Sequence, residues 1–124
     1  MALIMREGLK NKKFRRIIGT TDYTIKPTNM NSESRVLHTH HPMLAPESSY
    51  HYDGCIGGKT GYTSEAGLCL ASFAEVYDRE YILVTAGASG NTGSPLHVED
   101  AVKIYNRLGK AIEAQMTGSD GSES

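Results

Sequence analysis

Two nearly continuous apolar runs dominate the sequence, over residues 66–77 and 81–88, and only Asp78, Arg79 and Glu80 separate them. Runs of this kind, with Val, Ile, Phe and Tyr, fit strands covered on both faces. A connection this short joins neighbouring strands only as an antiparallel pair. A third stretch begins at Cys55 and leads into them through a turn over residues 61–65. Three antiparallel strands are therefore expected, at about residues 55–61, 66–77 and 80–88.

Helices are expected on either side of these strands. Over residues 3–18, Leu9, Phe14, Ile17 and Ile18 recur at roughly helical spacing, with Lys and Arg in the gaps. Gly19, Thr20, Thr21 and Asp22 would stop such a helix. Residues 23–26 read as a short strand ended by Pro27. Residues 28–53 hold Asn29, Asn31, Ser32, Pro42 and Pro46 with little periodicity, and read as a long loop with room for one helical turn. A loop of that length in a compact domain is functional or is supported by something else. The clearest helix covers about residues 97–115, where Val98, Ala101, Val102, Tyr105, Leu108 and Ile112 form one apolar stripe. Glu99 and Asp100 in its first turn, and Arg107 and Lys110 further along, suit the helix dipole. Residues 117–124 are rich in Gly, Ser and acid and read as a disordered tail. The fold class is α+β: one domain over residues 1–116, with an N-terminal and a C-terminal helix packed on a three-stranded sheet.

Composition narrows what such a domain can do. Lys plus Arg number 13 and Asp plus Glu 14, for a net charge of −1. A balance this even leaves no basic face for general nucleic-acid binding. Hydrophobic residues make up 39% of the 124, enough for a modest core. No run approaches the length of a transmembrane helix. The apolar stretch before Arg6 and Glu7 is too short for the core of a secretory signal. Two cysteines, Cys55 and Cys69, make no disulfide framework.

The chemistry is concentrated in Gly57-Gly58-Lys59-Thr60-Gly61-Tyr62-Thr63, at the end of the first expected strand. This segment resembles the Lys-Thr-Gly box of penicillin-binding proteins and serine β-lactamases. The ordered series "GGKTGYTSEAGLCL", "DREYILVTAGA" and "HVEDAVKIYNRL" is similar to the second half of the serine-type D-alanyl-D-alanine carboxypeptidases. Upstream, "REGLKNKKFRRIIGTTDYTI", Thr28-Asn29 and "RVLHTHHPML" are similar to the segments before that box, so the resemblance covers about residues 2–116. It implies part of a β-lactamase/transpeptidase-like fold. It also implies a peptidoglycan stem peptide ending in D-Ala-D-Ala as substrate, β-lactams as ligands of the intact family, no cofactor, and a location outside the cytoplasmic membrane. In that reading the Lys59 ammonium acts electrostatically, and the Thr60 hydroxyl beside it donates to the substrate carboxylate. Thr60 and Gly61 bind an extended peptide laid along the strand. Gly57, Gly58 and Gly61 leave room for its backbone. The main-chain N–H of Tyr62 is one of two oxyanion-hole donors.

The resemblance implies a nucleophile that the sequence does not spell. The family acylates the serine of a Ser-x-x-Lys string, activated by the lysine one turn on. The residues three before Lys10, Lys12, Lys13, Lys26, Lys59, Lys103 and Lys110 are Glu7, Leu9, Lys10, Tyr23, Ile56, Asp100 and Arg107. Ser89-Gly90-Asn91 matches the family's Ser-x-Asn box in letters but follows the third strand, whereas the family's box precedes Lys-Thr-Gly. It reads as a chance match. The 124-residue chain is expected to be inactive alone and marginally stable, with an open edge on its third strand. The alternatives are a non-catalytic module that binds peptidoglycan peptides and a half-domain that self-associates through open strand edges.

Other residues carry weaker signals. Gly58-Lys59-Thr60 lacks the upstream glycine and the following helix of a phosphate loop. His38, His40, His41 and His51 invite a zinc reading, but their spacing suits no familiar site, and a solvated or cleft-lining loop explains them more simply. Cys55 and Cys69 flank a hairpin and read as two buried thiols, with a disulfide geometrically open. His97 reads as a helix-start residue, with a place beside the site as the alternative. Thr63 reads as structural in the turn, and Arg79 as a solvated charge.

Overall fold

The computed structural model describes residues 1–91 and 93–121. Two short helices, α1 (Ala2–Gly8) and α2 (Lys12–Ile18), are followed by strands β1 (Asp22–Ile25) and β2 (Arg35–His38). The central strands are β3 (Cys55–Thr63), β4 (Gly67–Val76) and β5 (Arg79–Ala88). After β6 (Gly90–Asn91) and β7 (Ser94–Pro95), helix α3 (Leu96–Gly121) ends the described chain. It runs into the segment expected to be a disordered tail, and residues 122–124 lie outside the described residues.

The sheet has the order β3-β4-β5, antiparallel throughout. β4 in the centre alternates between two packed layers. Leu70, Ala74 and Val76 join Val98, Ala101 and Tyr105 of α3, with Met43 from the long connection. Phe73 points the other way and packs with Met5 of α1 and with Leu9, while Phe14 and Ile18 of α2 close the same cluster. Cover on both faces therefore holds for β4. β5 is only partly covered, because it is an edge strand with Val84 exposed.

The single N-terminal helix expected over residues 3–18 is two helices. The Asn11 side chain accepts from the backbone N–H of Lys13 and of Phe14, at 2.9 and 3.1 Å, and caps a new helix there. Residues on both sides of the break, Met5 and Leu9 before it and Phe14 and Ile18 after it, pack in one cluster with Phe73. Arg15 of α2 fastens this layer with a bidentate pair to Glu80 of β5, at 2.8 and 2.5 Å, and its guanidinium lies 5.7 Å from the Phe73 ring centre.

The long loop over residues 28–53 is also corrected. It contains β2, which pairs with β1 from Asp22 opposite His38 to Ile25 opposite Arg35. The ribbon is exposed on nearly every residue, so no apolar alternation marks it in the sequence.

The β4–β5 connection is tighter than expected. Tyr77 and Asp78 alone form it, with φ of 48° and 64°. Two left-handed residues in a two-residue loop match the twist of a hairpin and favour Asn or Gly. Neither residue present is glycine, so the turn costs free energy that the strands must offset. Asp78→Gly is expected to stabilise the chain by about 1 kcal/mol. A thermal melt checks this, and a lower melting temperature would contradict the turn geometry.

Candidate functional site

β3 is an edge strand. β4 pairs with one side of it, and among the described residues no strand pairs with the other. Lys59 stands opposite Ala71, Thr60 opposite Leu70, Gly61 opposite Cys69 and Tyr62 opposite Leu68. Opposite residues share a face, so Thr60 follows Leu70 toward α3, while Lys59 follows Ala71 toward α1 and α2. The Lys59 side chain is exposed, and its Nζ donates to the Thr60 carbonyl at 2.6 Å. Tyr62 is 67% exposed, and a Cβ on Gly61 would meet nothing within 4 Å. The four residues expected in the site thus lie consecutively along one free strand edge. Such an edge offers main-chain donors and acceptors to an extended peptide, with an ammonium and a hydroxyl at hand for a carboxylate.

The other two glycines serve a different purpose from the one expected. A Cβ on Gly57 would lie 2.8 Å from both the Ile18 carbonyl and the Phe73 ring. A Cβ on Gly58 would overlap His41 Nε2 and lie 2.7 Å from the Ala71 carbonyl. Both positions are small so that β3 can sit down on its own protein. Only Gly61 has open space.

The strand rests on a histidine that the sequence did not single out for this. His41 is 5% exposed, and its Nδ1 accepts from the Met43 N–H at 3.3 Å. Its Nε2, against Gly58, has no partner. His97, also 5% exposed, starts α3 as expected, and its Nδ1 is likewise buried and unpartnered. Burial pushes the His41 imidazole down to about 4, and the charges of Lys59 and His97 act in the same direction. Burial also lowers His97, with Asp100 opposing. A signal for His97 existed, because it lies on the Ala101–Tyr105 stripe at i, i+4 and i+8. For His41 the only hint was the apolar Met43-Leu44-Ala45 that follows.

The remaining candidates fall elsewhere. His38 is exposed and pairs with Asp22 at 2.6 Å, and His40 is exposed. Among the described residues no group of three or more His, Cys, Asp or Glu is placed to hold a metal ion. Cys55 stands opposite Ala74 and Cys69 opposite Gly61, at different ends of the β3–β4 pair, and both are free and half-buried. Burial pushes the Cys55 thiol up to about 11, which leaves it protonated and a poor nucleophile. Thr63 Oγ1 accepts from the Ala66 N–H at 3.0 Å, the structural role expected in the turn. A cleft of about 780 Å³ lies between α2 and the β1–β2 ribbon, lined by Ile17, Tyr23 and Leu37 among others, and none of residues 59–62 borders it.

Comparison with known proteins places this edge in context. No protein-family model matches the chain. The D-alanyl-D-alanine carboxypeptidase of Streptomyces sp. (strain K15) is 35% identical over 103 residues, which cover 83% of this chain and 34% of that protein. The chain thus spans about a third of the length of this curated relative. The crystal structure of the Streptomyces K15 DD-transpeptidase superposes with a TM-score of 0.64 at 25% identity, covering 86% of this chain and 40% of that one. A D-alanyl-D-alanine carboxypeptidase from Mycobacterium tuberculosis H37Rv superposes with a TM-score of 0.68 at 22% identity, over 84% and 36%, and shows the shared fold. The chain has the α+β fold of part of a DD-peptidase. In sequence it is a relative of the D-alanyl-D-alanine carboxypeptidases.

The two buried histidines make stability depend on pH. Below pH 6.5 an unfolded chain takes up protons on these rings more readily than the folded one, so stability falls as pH drops toward 4. For His41 alone, protonation across that window is worth about 3 kcal/mol. Urea midpoints measured from pH 7.5 to 4 are expected to fall mainly below pH 6.5. A midpoint that stays flat would contradict the buried neutral state.

Proposed function

We propose that this chain is the Lys-Thr-Gly-bearing part of a serine-type D-Ala-D-Ala carboxypeptidase domain, corresponding to its C-terminal half. Its β3 edge recognises the C-terminal carboxylate of a peptidoglycan stem peptide. The observation that supports this most is the run of Lys59, Thr60, Gly61 and Tyr62 on a strand edge left unpaired among the described residues, with Thr60 half-buried and the other three exposed. Lys59 supplies the positive charge, Thr60 the hydroxyl donor, and Gly61 the clearance for the incoming backbone. The Tyr62 N–H serves as an oxyanion-hole donor once a serine is present beside it. The acyl-enzyme step needs the Ser-x-x-Lys serine, which no lysine of this sequence provides. Alone, the chain binds but does not acylate. Its place of action is the cell-wall side of the cytoplasmic membrane. Among the described residues no helix is long and apolar enough to cross a membrane.

A second reading, self-association, is favoured by the outer edges of β3 and β5, which pair with no strand among the described residues, and by exposed Leu3, Ile4 and Ile17 on the N-terminal helices. Strand edges of this kind pair readily with other chains.

A fluorescent penicillin is expected to leave the 124-residue chain unlabelled. A peptide ending in D-Ala-D-Ala is expected to bind reversibly and to shift the amide resonances of residues 59–62. Lys59→Ala should weaken that binding by tenfold or more, since it removes a charge-assisted hydrogen bond. Covalent labelling, or peptide binding indifferent to Lys59→Ala, would overturn the reading.

A further inference from the structure

The reading of residues 59–62 as a substrate edge leaves open what keeps that edge in place. From behind, Gly58 rests on the His41 ring so closely that no side chain fits between them. The backbone of His41 organises the same spot, because its carbonyl accepts from the N–H of Leu44 and of Ala45, both at 3.0 Å. Met43, fully buried, donates to the ring and accepts from the Tyr52 N–H at 3.0 Å. Ring, turn and strand form one contact.

We propose that His41 is a positioning residue for the Lys59 edge and acts as an acid-sensitive latch: the neutral ring holds β3 in place, and the protonated ring leaves its pocket and releases the edge. The inference rests on the substrate-edge reading above and adds a regulation of that same site.

The chemistry follows from which nitrogen carries the proton. Nδ1 accepts from Met43, so the neutral ring holds its proton on Nε2. A second proton must go to Nδ1. There it faces the Met43 N–H, donor against donor, and the hydrogen bond is lost. Among the described residues the new charge also has no carboxylate paired with it. The charged groups acting on His41 are Lys59 of β3 and His97 of α3, both cationic when protonated, and Asp100 acts on His97 instead. Ser72 of β4 and Tyr105 of α3 are bonded to each other at 3.0 Å. Burial keeps the Tyr105 hydroxyl and the Cys55 thiol uncharged. An unpaired cation in such a pocket is expelled to water. Expulsion carries away the ring under Gly58 and loosens the 41–45 turn.

The test is an NMR pH titration of the full chain without peptide, following the His41 ring and the backbone amides of β3 and β4. Gly58, Lys59 and Thr60 are expected to shift together with the His41 ring, at one midpoint well below 6.5, before Leu70–Ala74 of β4 change. In His41→Asn the amide oxygen replaces Nδ1 as acceptor for Met43 but takes no proton, so the β3 transition should vanish. Lys59→Met removes one of the repelling charges from an exposed position that does not threaten the fold, and should move the midpoint to higher pH. Three results would each overturn the latch: β3 amides that ignore the His41 ring, a transition unchanged in both variants, or β3 and β4 changing together. Peptide is absent throughout, so such a failure is separate from a failure of the binding experiment above.

Discussion

The double burial of β4 is the constraint on which the rest of this structure depends. β4 is hydrogen-bonded on both edges and packed on both faces. Phe73 is fully buried against the N-terminal helices, while Leu70 and Ala74 are buried against α3. Between them Ser72, also fully buried, is satisfied by the Tyr105 hydroxyl at 3.0 Å, and Tyr52 stacks on the Tyr105 ring at 5.4 Å. A polar group buried that deeply without its partner would cost about 1–3 kcal/mol. The bond therefore fixes the register of α3 over the sheet as well as contributing stability.

From β4 the geometry passes outward to the candidate site. Pairing with β4 gives β3 its register and so sets the order of Lys59, Thr60, Gly61 and Tyr62 along the outer edge. The two packed layers fix how closely β3 approaches. Gly57 sits against Ile18 and Phe73 on one side, and Gly58 against His41 on the other. Burial ends at the Gly-Gly pair before Lys59: Gly57 and Gly58 are buried, Thr60 is half-buried, and Lys59, Gly61 and Tyr62 are exposed.

The sheet was legible because long apolar runs with a short polar break admit few arrangements. The stripe of α3 was legible for the same reason. The break between α1 and α2 was hidden because a cap at Asn11 depends on one side chain reaching two backbone N–H groups, which periodicity does not register. The spacing of five from Leu9 to Phe14, longer than one helical turn, was the clue. β2 was hidden because Arg35, Val36, Leu37 and His38 are all exposed, so nothing alternates. Residues 59–62 were singled out through resemblance to Lys-Thr-Gly enzymes, and they lie on edge strand β3. His41 was not readable, because its burial arises from a contact with Gly58 that is distant in sequence.

Backbone amide hydrogen exchange tests the central claim, that a doubly buried β4 supports an exposed β3 edge, most directly. The account predicts the slowest exchange at Leu70, Phe73 and Ala74 and in the Val98–Tyr105 part of α3, with fast exchange at those β3 amides that face away from β4. Uniformly fast exchange across β4, or protection along the whole of β3 equal to that of β4, would contradict it.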